Sequence, residues 1–456
     1  MASLLTKKYR IFLANQFQAA FANANNGIYV FCGRPQAWVD SSNVSVSDTN
    51  PPVAVGTTQN VEYEYWRDLL GIKKVNTANT AYVIPRRNWT SNTVYSQYDD
   101  QDAALFTKNF YVLDTSISPF RVYKCLWNNK GGASTTAPSV IGANPNPTTT
   151  ADGYVWQYMY AINTSDFVFL TNAWMPVLTD SSVQTNANTN SGKLPVVVPL
   201  LVVDGGVGYN ASLSTTTTII GDGTGATVTS NGVTIVGGAV TNVVLATGGL
   251  GYSRVDTINV FQAAANTLAT CRAIIPPFPN HGYDPFAELG TAALMLSIQF
   301  SFDESGKLTV VNDYRRIGVI LNPLDANGAV CNASFYRQTY DCTISSNTGI
   351  LNPDDLIFNQ TKATGPTGIV VDVVRNSGNT AWVVRLTGVN DKGEATPFQT
   401  GEVLKCNSSG VQATISSVSA PELTFFSGEI LYVDQRIPTL RANDQVEDIK
   451  VVFQLG

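Results

Sequence analysis

Tyr154-Val155-Trp156-Gln157-Tyr158-Met159-Tyr160 puts an aromatic ring at every second position. That period matches a pleated strand, where large flat side chains pack well. Phe120-Arg121-Val122-Tyr123-Lys124-Cys125-Leu126-Trp127 alternates in the same way. Between the two, Asn128 to Asp152 is rich in Gly, Ala, Pro, Thr and Asn, which predicts a long loop. Strands therefore dominate residues 105–195. Upstream, the pattern is mixed. Tyr9, Leu13, Phe17, Ala20 and Phe21 recur at helical spacing, and Gly27 to Phe31 reads as a short strand. A second helix is predicted over Glu62–Leu70, with Tyr65, Trp66, Leu69 and Leu70 on one face and Gly71 as its C-terminal cap. Ala81 to Ile84 reads as the next strand.

Downstream, residues 196–277 turn small, Gly- and Thr-rich and almost uncharged. Gly205-Gly206-Val207-Gly208-Tyr209 recurs as Gly248-Gly249-Leu250-Gly251-Tyr252, which predicts two related β-units of about 40 residues. The glycines are expected at positive φ in tight turns, with each Tyr anchoring its turn in the core. Further strands are predicted over Ala292–Phe302, Ile317–Leu321, Ile369–Val374, Ala381–Leu386, Val411–Val418 and Ile449–Phe453. The expected fold is mainly β: a multi-domain β-sandwich architecture with a few short helices near the N-terminus and two inserted small β modules. The expected parts are a mixed region at 1–95, a β domain at 96–195, the first module at 196–277, a return to the main body at 278–325, the second module at 326–422 and closing strands at 423–456.

The chain has 456 residues and a net charge of −6, and only 14% of its residues are charged, against roughly 25% in an average globular protein. Its surface must then be built from neutral polar groups. The acidic balance argues against a nucleic-acid partner, which would need a basic stripe. No stretch nears 18 uninterrupted apolar residues, so no membrane span is predicted. Asn15, Gln16 and Gln18 interrupt what would be the apolar part of a signal peptide, so an amphipathic helix fits better. One histidine, His281, excludes a His-rich zinc site and leaves a single candidate for any nucleophile–histidine pair. No G-x-S-x-G accompanies it, so a hydrogen-bonded loop histidine is expected. Six cysteines do not make a disulfide scaffold, and buried thiols are expected, with Cys331–Cys342 pairing left open.

Gly221-Asp222-Gly223-Thr224-Gly225-Ala226 matches G-x-G-x-x-A, but strand-like Thr227-Val228-Thr229 follows where a dinucleotide fold needs a helix. A β-turn is expected. Asp99, Asp100 and Asp102 lack the EF-hand pattern and read as a solvated loop. Arg86 and Arg87 beside Trp89 suit stacking or forked contacts with carboxylates, an internal or interfacial clamp.

Several segments, in order, resemble one family: the T4-type contractile-tail bacteriophage baseplate wedge protein, gene product 8. They are Ile28-Tyr29-Val30-Phe31-Cys32-Gly33-Arg34 with Trp38, then Tyr82-Val83-Ile84-Pro85-Arg86-Arg87-Asn88-Trp89, Val122-Tyr123-Lys124-Cys125-Leu126 and Asp152-Gly153-Tyr154-Val155-Trp156-Gln157-Tyr158. Tyr314-Arg315-Arg316-Ile317 and Asn322-Pro323-Leu324 follow. The most specific part is the end: Ser427-Gly428-Glu429-Ile430-Leu431-Tyr432, Arg436-Ile437-Pro438, and Asp444-Gln445 with Glu447. The resemblance covers residues 1–195, 300–325 and 425–456. It leaves 196–277 and 326–422 as insertions.

The resemblance implies a virion structural subunit without catalysis or cofactor. Such a subunit would be a homodimer in the tail baseplate, assembled in the host cytoplasm, touching other wedge proteins and moving when the sheath contracts. No small-molecule substrate and no membrane insertion are implied. Arg86, Arg87, Trp89, Tyr154, Trp156, Glu429, Tyr432, Arg436, Asp444 and Gln445 are the candidate structural or interface residues. The competing expectation is a phage tail protein that binds or hydrolyses glycans of the host envelope, using carboxylates that meet only in space.

Overall fold

The two alternating aromatic segments form neighbouring antiparallel strands, Phe120–Trp127 and Val155–Ile162, in a four-stranded sheet with Tyr111–Asp114 and Thr148–Thr149 at its edges. The computed structural model describes residues 6–23, 26–39, 46–56, 58–362, 364–375, 382–389, 397–442 and 444–455. Strand covers 40% of the chain and helix 13%, so the protein is mainly β, built from several sheets and a small barrel. It divides into two units. One comprises residues 1–15, 81–295 and 452–456, the other residues 16–80 and 296–451.

In the first unit, both faces of the aromatic sheet are buried. Tyr123, Cys125, Tyr154, Trp156 and Tyr158 form one cluster, and Val122, Met159, Tyr160 and Ile162 join another. The loop after Trp127 is less irregular than its composition predicts. It contains 3-10 turns at Asn129–Gly131 and Pro138–Ile141. The Asp152 carboxylate closes it by accepting the N–H groups of Thr135 (2.7 Å) and Thr136 (2.9 Å).

The Gly-rich module in this unit is a duplication. Its first half holds the strands Leu201–Asp204, Thr216–Thr217 and Thr224–Val236; its second half holds Ala239–Leu250, Ile258–Phe261 and Ala269–Arg272. The last strand of each half pairs with the first strand of the other, and the middle strands pair together. In each repeated turn the second and third glycines are at positive φ as expected, and the first, Gly205 and Gly248, are not. Gly206 and Gly249 have φ of 63° and 58°, and Gly208 and Gly251 have 86° and 79°. Tyr209 and Tyr252 are buried. Each Tyr hydroxyl reaches into the other half: Tyr209 accepts the Ala269 N–H (2.6 Å) and Tyr252 accepts the Ala226 N–H (3.3 Å). These partners are separated by the same 43 positions as the glycines, Ala226 to Ala269 and Gly206 to Gly249. The G-x-G-x-x-A segment is a turn feeding the strand Thr224–Val236.

In the second unit, the strands Phe335–Arg337, Leu69–Lys74, Ile28–Gly33, Tyr314–Leu321 and Glu429–Thr439 lie side by side in that order. The predicted helix over Glu62–Leu70 is displaced. It runs over Gln59–Arg67, and Leu69, Leu70 and Gly71 belong to a strand instead. Tertiary packing overrides the helical spacing, because Leu69 pairs with Gly33 and Gly71 with Arg337. Gly71 serves close packing, not a cap: a Cβ there would lie 2.5 Å from the Phe335 ring.

Tyr340–Ser419 of this unit form a closed six-stranded antiparallel barrel, within the stretch 326–422 expected to be a small β module. Three of its strands, Thr367–Arg375, Trp382–Thr387 and Gln412–Ser419, match predicted ones. Ala381, the predicted start of one, lies outside the described residues. Cys342, Ile357, Val384, Leu386 and Leu404 fill the interior. All six cysteines of the chain are free and buried.

Candidate functional site

Most of the predicted interface residues are held by contacts within their own unit. Arg86 donates to Asn88 Oδ1 (2.8 Å) and the Thr171 carbonyl (3.0 Å). The Arg87 guanidinium lies 4.7 Å from the Tyr111 ring centroid, a cation–π contact. Trp89 Nε1 donates to Ser134 Oγ (3.1 Å). These three do not converge on one clamp; each fastens a different loop to the strands. Tyr154 and Trp156 stack with centroids 5.5 Å apart, both fully buried, and the Tyr154 hydroxyl donates to the Gly132 carbonyl (2.6 Å). The C-terminal candidates are more open. Glu429 and Asp444 are exposed, and Tyr432, Arg436 and Gln445 are half-buried. The Arg436 carbonyl accepts Trp38 Nε1 (3.0 Å), and Gln445 Nε2 donates to the Leu440 carbonyl (2.9 Å).

The densest electrostatics of the first unit lie around Lys124. This residue follows the strand alternation, but Val122 and Leu126 on its own face are buried, so its ammonium is buried too. It pairs with Glu288 and sits 4.8 Å from the Tyr98 ring centroid. Burial pulls Lys124 below the usual lysine range. Glu288 stays below the usual glutamate range despite burial, because Lys124 faces it. His281 packs edge-on against Tyr98, and burial, then the Lys124 charge, lowers it to about 4. Its ring is therefore neutral near pH 7. Nδ1 is 3.8 Å from Glu288, too long for a hydrogen bond, and has no partner among the described residues. The expected hydrogen-bonded loop histidine is a buried one whose backbone N–H donates to Asn280 Oδ1 (2.8 Å). The sequence signal for this cluster was a lysine inside an otherwise apolar strand face.

Asp99 and Asp100 differ from the solvated loop expected of them. Arg272, from the Gly-rich module, reaches Asp99 (2.6 Å) and Asp100 (3.0 Å), while Asp102 pairs with Lys108 (2.6 Å). Among the described residues, no group of His, Cys, Asp or Glu is arranged to hold a metal ion.

In the second unit a guanidinium cluster ties distant segments together. Arg315 forks onto Asp48 (2.7 and 2.8 Å) and reaches Asp313 (2.7 Å). Beside it, Arg34 pairs with Asp68 (3.2 Å), and Arg316, 4.5 Å from the Tyr65 ring centroid, reaches Asp68 (3.4 Å) and Gln435 Oε1 (3.0 Å). Arg441 forks onto Glu447 (2.7 and 3.1 Å). Forked guanidinium–carboxylate contacts fix geometry as well as charge. No protein-family model matches the sequence, and no curated protein matches it.

Proposed function

We propose that this chain is a structural subunit of a contractile-tail phage baseplate wedge, which forms dimers and bridges neighbouring wedge proteins. One observation carries the reading. The segments that resemble the wedge family come from the start, middle and end of the chain, yet Ile28–Gly33, Tyr314–Leu321 and Glu429–Thr439 are adjacent strands of one sheet. Their polar residues fasten the same region: Asn322 Oδ1 accepts the Gly27 N–H (2.6 Å), and Ser427 Oγ accepts the Leu324 N–H (2.9 Å). Three of the segments on which the resemblance rests thus meet in one sheet, which supports the reading. The work of such a subunit is mechanical. Its sparse charge suits burial against many neighbours, since unpaired charges are costly to desolvate.

Light scattering on the purified chain tests the dimer: the expected mass is twice 49.0 kDa. A chain that stays monomeric at micromolar concentration overturns it. Mass spectrometry of purified tails tests the assignment to the virion, and tails without this chain overturn that.

A further inference from the structure

The second unit contains an open groove of about 850 Å³ between the helix Gln59–Arg67, the barrel turn at 386–389 and the segment 420–425. Its volume falls within the roughly 300–1,000 Å³ of ligand clefts. Two of its aromatic rings face solvent: Tyr63 is 42% and Phe425 45% exposed. They are held firmly. Tyr63 stacks on Phe426 with centroids 4.1 Å apart, and Phe425 packs against Tyr63 and Trp66. Exposed large rings fixed by such stacking are poor solvation and good platforms.

The polar part of the groove is made of side chains. Asn60, Glu64 and Arg67 lie on one helical face, at spacings of three and four, and Thr387 and Thr424 also line the groove, their hydroxyls donating to the Arg67 and Asp325 carbonyls. Gln338, nine-tenths buried in the wall, has a side-chain oxygen with no partner among the described residues. Backbone groups nearby are already used. The Gly388 N–H donates to the Arg67 carbonyl (3.2 Å), Gln338 N–H to Leu70 (3.0 Å) and Thr424 N–H to Leu324 (2.9 Å). An extended peptide that docks by strand addition needs a free backbone edge, which these contacts remove. Among the described lining residues Glu64 and Arg67 are the charged ones, and their charges cancel.

We propose that this groove binds a short neutral oligosaccharide. The apolar C–H face of a pyranose ring would stack on Phe425 and Tyr63. Its hydroxyls would hydrogen-bond to the Asn60, Glu64 and Arg67 side chains. Rings beside mixed donors and acceptors match a molecule with one apolar face and a hydroxyl rim. The lining carries no excess of positive charge that would favour phosphorylated or acidic sugars. This inference goes beyond the wedge reading and does not rest on it.

The test titrates the full chain with short neutral oligosaccharides of glucose, galactose, mannose and N-acetylglucosamine, by calorimetry and by tryptophan fluorescence. Saturable binding is expected for at least one, about tenfold weaker in Phe425→Ala and unchanged in Phe278→Ala, a residue 82% exposed in the other unit. Unchanged melting of Phe425→Ala separates lost binding from lost folding. No saturation by any of the four at millimolar concentration overturns the proposal. So does equal binding by Phe425→Ala, or capture in this groove of an extended peptide in place of sugar.

Discussion

The Gly-rich module and the small barrel solve the same problem in opposite ways. Each is a short stretch of chain that must bury its own strands without leaving a long open edge. The barrel over Tyr340–Ser419 does so by closure: its first and last strands pair with each other around an apolar interior. The Gly-rich module does so by exchange, each half lending its last strand and its tyrosine to the other. Closure draws its stability from apolar volume. Exchange draws it from two copies of a turn whose backbone no other residue can adopt cheaply. The difference teaches that similar composition classes can rest on different kinds of weak point.

Glycine substitutions give the largest expected contrast. A Cβ at Gly249 would sit 2.3 Å from the Thr224 carbonyl oxygen, and one at Gly206 2.5 Å from that of Thr267. Gly401 in the barrel also has positive φ, at 87°, but nothing within 4 Å of its Cβ position. Gly401→Ala should cost about 1–2 kcal/mol, the backbone penalty alone. Gly249→Ala and Gly206→Ala should cost about 3 kcal/mol or more, because steric overlap is added. Urea unfolding of the three variants measures this, and equal costs would break the comparison.

Hydroxyl removal comes next. Tyr209 both donates to the Val260 carbonyl and accepts from Ala269, whereas Tyr252 makes a single, longer bond to Ala226. Tyr209→Phe should cost about 1–3 kcal/mol, the price of leaving buried backbone groups unmet, and Tyr252→Phe less. Hydrogen exchange at Ala226 and Ala269 resolves the two halves. Faster exchange at both positions in either variant would show that the halves open together.

The smallest effects are pH slopes of opposite sign. In the Gly-rich module, bonds from the Ser253 hydroxyl and the Arg254 and Ser253 N–H groups hold Asp222 at about 2, below its ordinary 3.8. Between those values the unfolded chain binds a proton the folded chain refuses, so acid removes stability there. In the barrel, burial raises Asp372 above 3.8 although Arg385 opposes it. As pH rises from 3.8 through that raised value, the folded chain keeps a proton the unfolded chain releases, so stability is lost with rising pH. Asp222→Asn and Asp372→Asn should each flatten one slope and leave the other. Unfolding midpoints followed from pH 2 to 7 separate the two, and slopes of one sign would refute the contrast.

The same contrast explains what was legible in the sequence. Turn chemistry is local, so the repeated Gly-Gly-x-Gly-Tyr announced its positive φ angles and buried tyrosines before any fold was seen. Barrel closure is not local. Cys342 facing Val418 leaves no trace in either strand's pattern. The displacement of the helix to Gln59–Arg67 has the same cause, since only Phe335, far along the chain, explains Gly71. At the candidate sites, Arg86 and Arg87 were visible as unusual residues, but their separate partners were not. The groove was invisible altogether, because helix, barrel turn and Phe425 meet only after folding.

Both modules also share a simple topological property. Leu201 pairs with Arg272, and Asp341 with Ser419, so in each case the chain leaves within one strand spacing of where it arrived. Either module is thus a cassette on a doorstep: a tight turn could stand in its place, and the host sheets would keep their ends. An ancestor could gain, lose or trade such cassettes without redrawing the frame that carries them.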